Sequence, residues 1–350
     1  DQAISASVAA LSGSASTARG LLGGGDAFPY TGSAEITGSL GVTGSVSFST
    51  EIATVGAAVW SAGGALVTAR WGLAGAGTQT AGLAFGGCGG SGVVACTEEY
   101  NGATWGSGGA LATPRGGLAG AGTQTAGLAF GGGGTCTEEY NGATWGSGGP
   151  LATGRTGLAG AGTQTAGLAF GGQGGCANTE EYDGTNWSTG GVLSTPRGLL
   201  AGAGTQNAAL AFGGTPNFST LPTCTEEYNG ISWGSGGTLS TGRRYLAGAG
   251  TQTAGLAFGG TVSIYTGATC TEEYDGTNWS TGGALSQGRY QLGGAGTQTA
   301  GLAFGGYIYT NCTEEYTSTT TTNLTPTFDY SESTGAVILS QVSSSLNFAD

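Results

Sequence analysis

Lysine, histidine and methionine are all missing from this 350-residue chain. Without histidine, and with no Cys-x-x-Cys spacing among its seven cysteines, a zinc site has no ligand set. Eight arginines stand against 21 acidic residues, for a net charge of −13. An acidic chain with no basic stripe argues against a nucleic-acid partner. No apolar run reaches the length of a membrane-spanning helix, so no membrane insertion is expected. No secretory leader pattern is visible; since the chain opens at Asp1, a removed leader is compatible with the sequence. Helical periodicity is absent through the middle of the chain. Glycine, by contrast, contributes 77 residues, and they are not scattered. The stretch "GLAGAGTQTAGLAFGG" at 117–132 returns at 157–172, with looser copies at four other places.

Each copy belongs to a longer unit with fixed landmarks. A Tyr is followed five residues on by a Trp: Tyr100/Trp105, Tyr140/Trp145, Tyr182/Trp187, Tyr228/Trp233 and Tyr274/Trp279. Ten residues after each Trp comes an Arg, at Arg115, Arg155, Arg197, Arg243 and Arg289, and Trp60/Arg70 obeys the same rule. A Gly-Gly pair starts sixteen residues after each Arg. From the second Gly of the pair to the next Tyr the gap runs 13, 8, 10, 14, 14 and 10 residues, so all the length freedom sits in one loop.

Trp residues recur at 45, 40, 42, 46 and 46 residues, a spacing that suits a propeller blade. Within a unit the sequence predicts four strands: a ("GLAGAGT"), b ("AGLAFGG"), c ("CTEEY") and d ("ATW" or "TNW"). Asn-Gly or Asp-Gly between c and d signals a hairpin. Only Gly and Ala fit strand a if it is innermost, where blades crowd the axis. Phe, Tyr and Trp would fill the widening wedge between blades. Six a-b-c sets end at Tyr100, Tyr140, Tyr182, Tyr228, Tyr274 and Tyr316, yet no Trp follows the last, and Trp60 has no set before it. The expectation is therefore an all-β, six-bladed ring in which the strand around Ala57–Trp60 completes the last blade beside Cys312–Tyr316 and leaves no open edge.

The Gly-Gly after strand b, the spaced Tyr and Trp and the following Arg resemble the kelch repeat over about residues 55–316, which implies a kelch-like β-propeller. WD-type propellers fit worse, since no Trp-Asp dipeptide occurs. The wording "AGTQTAGLAFGG…TEEY" is also similar to virion appendage proteins of marine bacteriophages, which implies an extracellular, virion-borne part. Copper oxidases that resemble kelch proteins need His ligands, which this chain lacks. "YDGTNW" has the wrong spacing for a sialidase Asp box.

Six landmark Arg face six Glu-Glu pairs, from Glu98/Glu99 to Glu314/Glu315. Alternation sends one carboxylate of each pair to either side of its blade. Because a lone buried carboxylate is costly, one Glu per pair is expected to meet an Arg in a structural ion pair. A calcium-binding carboxylate ring is the weaker alternative, since Asp-rich loop spacing is missing; no metal and no cofactor are expected. Catalytic acid and nucleophile roles fit poorly too, because a catalytic site breaks symmetry and these pairs repeat six times. Six Cys begin the c strands, one per blade, too far apart to bridge. Cys88 can pair with Cys96 across "CGGSGVVAC", though the reduced form is the expectation.

Three regions are expected: an attachment or shaft-like segment over 1–54, the propeller over 55–316, and a linker with a C-terminal strand segment over 317–350. In the first, Ile4, Val8 and Leu11 hint at a short helix, and "ITGS…VTGS" reads either as two fibre-shaft rungs or as a linker. Function is expected in the variable b–c loops, since loops on a rigid scaffold carry it. The fourth to sixth blades carry aromatic versions, and Phe218, Tyr265, Tyr307 and Tyr309 are the candidate binding residues for a sugar or protein partner. The reading is a non-enzymatic structural and binding protein of a phage appendage such as a tail fibre, joined to other virion subunits or to copies of itself through its ends. A bacterial cell-surface or secreted adhesin is the alternative, and a glycan-cleaving enzyme comes third.

Overall fold

Strands of four residues, Gly/Ala in one and aromatic-ended in the next, stack into blades because neither face of any one sheet can be left in water. The computed structural model describes residues 58–263, 266–307 and 310–318, with the backbone of two further strands. Six four-stranded antiparallel sheets form the six blades of a β-propeller, and no helix occurs among the described residues. In blade I the strands a to d are Ala74–Gly77, Gly82–Phe85, Thr97–Tyr100 and Trp105–Ser107. Blades II to V repeat this plan. Blade VI takes Gly293–Gly296, Ala300–Phe304 and Thr313–Thr317 from one end of the ring and Val59–Ala62 from the other. Val59 pairs with Thr317 and Trp60 with Tyr316, so the expected closure is present, one residue beyond Tyr316.

Strand a is Gly/Ala because the neighbouring strands a lie against each other. A Cβ on Gly120 would stand 2.7 Å from the Gly75 carbonyl oxygen and 2.6 Å from the Phe85 ring. The Gly-Gly pair ends strand b for a different reason. Gly86 and Gly87 adopt φ of 62° and 100°, and a Cβ on Gly86 would meet the Arg115 carbonyl at 2.7 Å. One boundary differs from the sequence expectation: strand d begins at the Trp rather than ending there. Asn101 Oδ1 accepts from the Ala103 and Thr104 amides at 3.0 and 2.8 Å, which keeps "AT" in a four-residue loop. Trp105 is thus the first residue to pair, opposite Tyr100.

The core lies between blades. Trp145 of blade II sits 4.9 Å from Phe85 of blade I and 4.9 Å from its own Tyr140. Three side-chain bonds cross the same junction. Trp145 Nε1 donates to Thr97 Oγ1 at 2.9 Å, Tyr140 OH to Glu99 Oε1 at 2.6 Å, and Gln124 Nε2 to the Tyr100 carbonyl at 2.6 Å. The pattern continues through the seam, where Trp105 donates to Thr313 and Tyr100 to Glu315. Trp60 enters the same scheme from the chain's other end, donating to Thr271 at 2.9 Å and stacking 5.0 Å from Phe258.

Gly56–Thr319 forms one compact unit. Outside it, Phe328–Ser331 pairs antiparallel with Ala336–Leu339. The expectations for 1–54, including Ile4, Val8, Leu11 and the Thr-Gly-Ser rungs, and for the linker after Ser318 lie outside the described residues.

Candidate functional site

Antiparallel bridges fix which connections share a face. Trp71 pairs with Cys88, Gly198 with Thr215, Arg244 with Thr261 and Tyr290 with Tyr307. In each case the residue after a landmark Arg lies against the residue that follows a Gly-Gly pair. The d–a and b–c connections therefore meet on one face of the ring.

At the axis of that face the residues two beyond each Arg form a closed circle of backbone hydrogen bonds. The Gly117 amide donates to the Gly72 carbonyl at 2.8 Å, Gly157 to Gly117 at 2.8 Å, and Leu199 to Gly157 at 2.7 Å. Tyr245 donates to Leu199, Gln291 to Tyr245 and Gly72 to Gln291, each at 2.8 Å. The next residue of every blade is a buried Leu, and together these line a cavity of about 240 Å³. To reach the preceding blade's carbonyl, every circle residue takes a left-handed backbone. Gly72, Gly117 and Gly157 have φ of 60°, 66° and 62°; Leu199, Tyr245 and Gln291 have 57°, 57° and 56°. A side chain in that conformation costs on the order of 1–2 kcal/mol. Blades I to III avoid the cost with glycine, whereas blades IV to VI bear it. Strain of this kind collects at functional sites.

The strained half carries a continuous arc. Arg244 lies 5.7 Å from the Phe218 ring centre and 5.9 Å from that of Tyr245. Its Nη1 also donates to the Phe218 carbonyl. Tyr245 is 6.0 Å from Tyr290, Tyr290 is 5.1 Å from Tyr307, and Tyr307 meets Trp71 edge-on at 5.9 Å. Phe218 is 52 % exposed and itself left-handed at φ 63°. Two buried N–H donors in the arc, Trp71 Nε1 and Arg244 Nε, have no acceptor among the described residues. Burial pushes the Tyr245 phenol pKa up, with the Arg244 charge opposing. A row of tilted rings with a cation at one end is suited to a flat, polar-edged ligand.

The other functional side chains of the repeat are turned inward. Arg70, Arg115, Arg155, Arg197, Arg243 and Arg289 are all buried, each 2.5–3.2 Å from the first Glu of its blade's pair. In five of the six blades that Arg also donates to the carbonyl of the Gly that opens the Gly-Gly pair, as Arg243 does to Gly259 at 2.9 Å. In blade IV, Arg197 donates instead to the carbonyls of Thr195 and Ala211. The second Glu accepts the Tyr phenol of the next blade. Burial and the Glu99 hydrogen bond push Tyr140 up to about 12, and Tyr182, Tyr228 and Tyr274 stand the same way. Trp105 and Trp233 are buried, while Trp60, Trp145, Trp187 and Trp279 keep some surface. All seven Cys between 88 and 312 are free thiols. Among the described residues no three His, Cys, Asp or Glu converge as a metal would require.

Of the four binding residues expected from sequence, Phe218 and Tyr307 fall at either side of the arc, linked through Arg244, Tyr245 and Tyr290. Tyr265 and Tyr309 lie outside the described residues. The inner members Trp71, Arg244, Tyr245 and Tyr290 were missed because they sit in the constant-length part of the repeat. A signal was there: one and two residues after each Arg the sequence reads WG, GG, TG, GL, RY and YQ, within an otherwise repeated phrase. No protein-family model matches the chain, and no curated protein matches it. The class defined by fold and face is a six-bladed β-propeller, consistent with a binding or structural role.

Proposed function

We propose that this propeller is a non-enzymatic binding part of a virion appendage such as a tail fibre, working outside the cell. Its loop face meets a glycan or protein on the host surface, and the segments flanking the ring join it to other virion subunits or to copies of itself. The observation that supports this reading is the half-ring in which left-handed Leu199, Tyr245 and Gln291 border an aromatic arc. A ring built only for stability has no reason to exchange glycine for strained side chains on three adjacent blades. The twelve strand-c carboxylates support a non-enzymatic role, since Arg or Tyr holds each one in a sixfold-repeated structural bond.

The test replaces Trp71 and Tyr307 by Ala and measures host adsorption alongside particle assembly. Lost adsorption by intact particles is the expected result. Unchanged adsorption removes the receptor reading, whereas failed assembly reassigns the face to docking on another virion subunit. Release of products from host glycans by the purified protein would overturn the non-enzymatic reading.

A further inference from the structure

The charge of the loop face is opposite to that of the whole chain. Between Ala58 and Ser318 the carboxylates are twelve Glu in six strand-c pairs plus Asp183 and Asp275. Both Asp lie in c–d loops, on the other face of the ring, where each caps two loop amides. None of the six b–c or six d–a connections contains an Asp or Glu. Among the described residues Arg244 is the one cation outside an ion pair with a strand-c Glu. Among the described residues, the connections of this face thus carry no acidic side chain and a single partly exposed guanidinium, in a chain of net charge −13.

We infer that the arc binds a carboxylated saccharide, a uronate or nonulosonate, with pyranose faces on the aromatic rings and the carboxylate at Arg244. This rests on the glycan form of the function proposed above. Three features favour this class over a neutral sugar. The guanidinium already lies beside Phe218 and Tyr245, so a ring stacked there brings its carboxylate within reach. Its contact with Phe218 uses one Nη1 hydrogen, and an Arg–carboxylate bond is stronger than a neutral one. No acidic neighbour on the connecting loops competes for it. The polar rim supplied by Gln291, Thr156 and Gln173 at the axial cavity can meet sugar hydroxyls.

The experiment applies the full-length protein to an array of uronate- and nonulosonate-bearing saccharides printed beside carboxyl-reduced, neutral counterparts. Wild type is expected to favour carboxylated members by about tenfold or more, the scale of one charge-assisted hydrogen bond. Arg244→Gln should erase that preference while leaving weak binding to both sets, and added salt should reduce it in the wild type. Trp71→Ala should weaken binding to both sets alike. Unchanged urea midpoints for the variants establish that folding is not the cause. Equal binding to charged and neutral members, or a preference that survives Arg244→Gln, overturns the acidic-sugar inference and leaves the glycan reading standing. Binding to no saccharide, with wild-type particles still adsorbing to hosts, overturns both in favour of a protein ligand.

Discussion

Removing one landmark arginine tests whether the buried ion pairs hold the blades, and Arg243→Met is the sharpest case. Arg243 is fully buried, and its Nη atoms donate to Glu272 at 2.9 Å and to the carbonyls of Gly259, Cys270 and Ala257 at 2.9, 2.6 and 3.3 Å. Burial lowers the guanidinium pKa from its ordinary value, and the Glu272 carboxylate opposes that shift. Met fills much of the volume but leaves Glu272, 2 % exposed, with only the Ser240 amide at 2.7 Å. Stranding a buried carboxylate costs about 3–5 kcal/mol. With a urea m-value of about 3 kcal/mol/M, the unfolding midpoint should fall by roughly 1–1.7 M. Adding Glu272→Gln removes the stranded charge, so the double variant should recover a large part of that loss. The assay is urea unfolding followed by Trp fluorescence, completed as a double-mutant cycle. A loss below about 1 kcal/mol, or a double variant no better than Arg243→Met, would refute the reasoning.

Three further outcomes are expected. Trp60→Ala should destabilise by about 3 kcal/mol, the low end for such a truncation because Trp60 keeps some surface, and urea midpoints check it. Gln291→Gly should raise stability by up to about 1 kcal/mol, since it frees a left-handed position, while weakening ligand binding. Stability should hold below about pH 10 and fall towards pH 12. The interblade phenols of Tyr140, Tyr182, Tyr228 and Tyr274 ionise near 12 when folded against 10.0 when free, so the unfolded state loses its protons first. Urea midpoints read against pH, with tyrosinate absorbance alongside, check this; a midpoint flat to pH 12 contradicts it.

The ring, its closure and the Arg–Glu pairs were legible because they follow from counting. A constant distance from Tyr to Gly-Gly means a constant four-strand unit, and Trp60 without a set could only complete the set without a Trp. Alternation along "TEEY" was enough to send Glu98 and Glu99 to different sides, but not to name the partner of the second. Tyr140 reaches Glu99 across a blade boundary, and adjacency of blades in space sets that bond, not any local pattern. The Trp misread as the end of strand d reflects local competition: the Asn101 side chain takes two amides that a tighter hairpin would have left to the strands. The arc was half legible. Phe218 and Tyr307 stand out as aromatics in the variable b–c loops, whereas Tyr245 and Tyr290 replace residues in the constant part of the repeat. Their left-handed or bridged backbone is invisible in Leu, Tyr or Gln, none of which favours it.

The circle of backbone bonds explains how one repeat can be both scaffold and site. Each amide must reach the carbonyl of the blade before, so φ is positive at all six positions whatever the residue. Glycine is then the cheap choice and a side chain an addition the ring can absorb, since six junctions of Trp, Tyr and Gln bonds hold the blades independently. Which positions can take that addition is decided by neighbours. A Cβ on Gly117 would lie 2.5 Å from Thr156 Oγ1, and one on Gly157 would lie 2.5 Å from Leu199 Cδ2. On Gly72 the nearest atom is the Gly117 amide nitrogen, at 3.5 Å. Blades II and III are thus crowded at the axis by the side chains of Thr156 and of the very residue that begins the strained half. Blade I has room, and it is the blade that contributes Trp71 to the arc. The arc runs from blade IV through V and VI into blade I, and the crowded positions at Gly117 and Gly157 lie on the blades it does not reach.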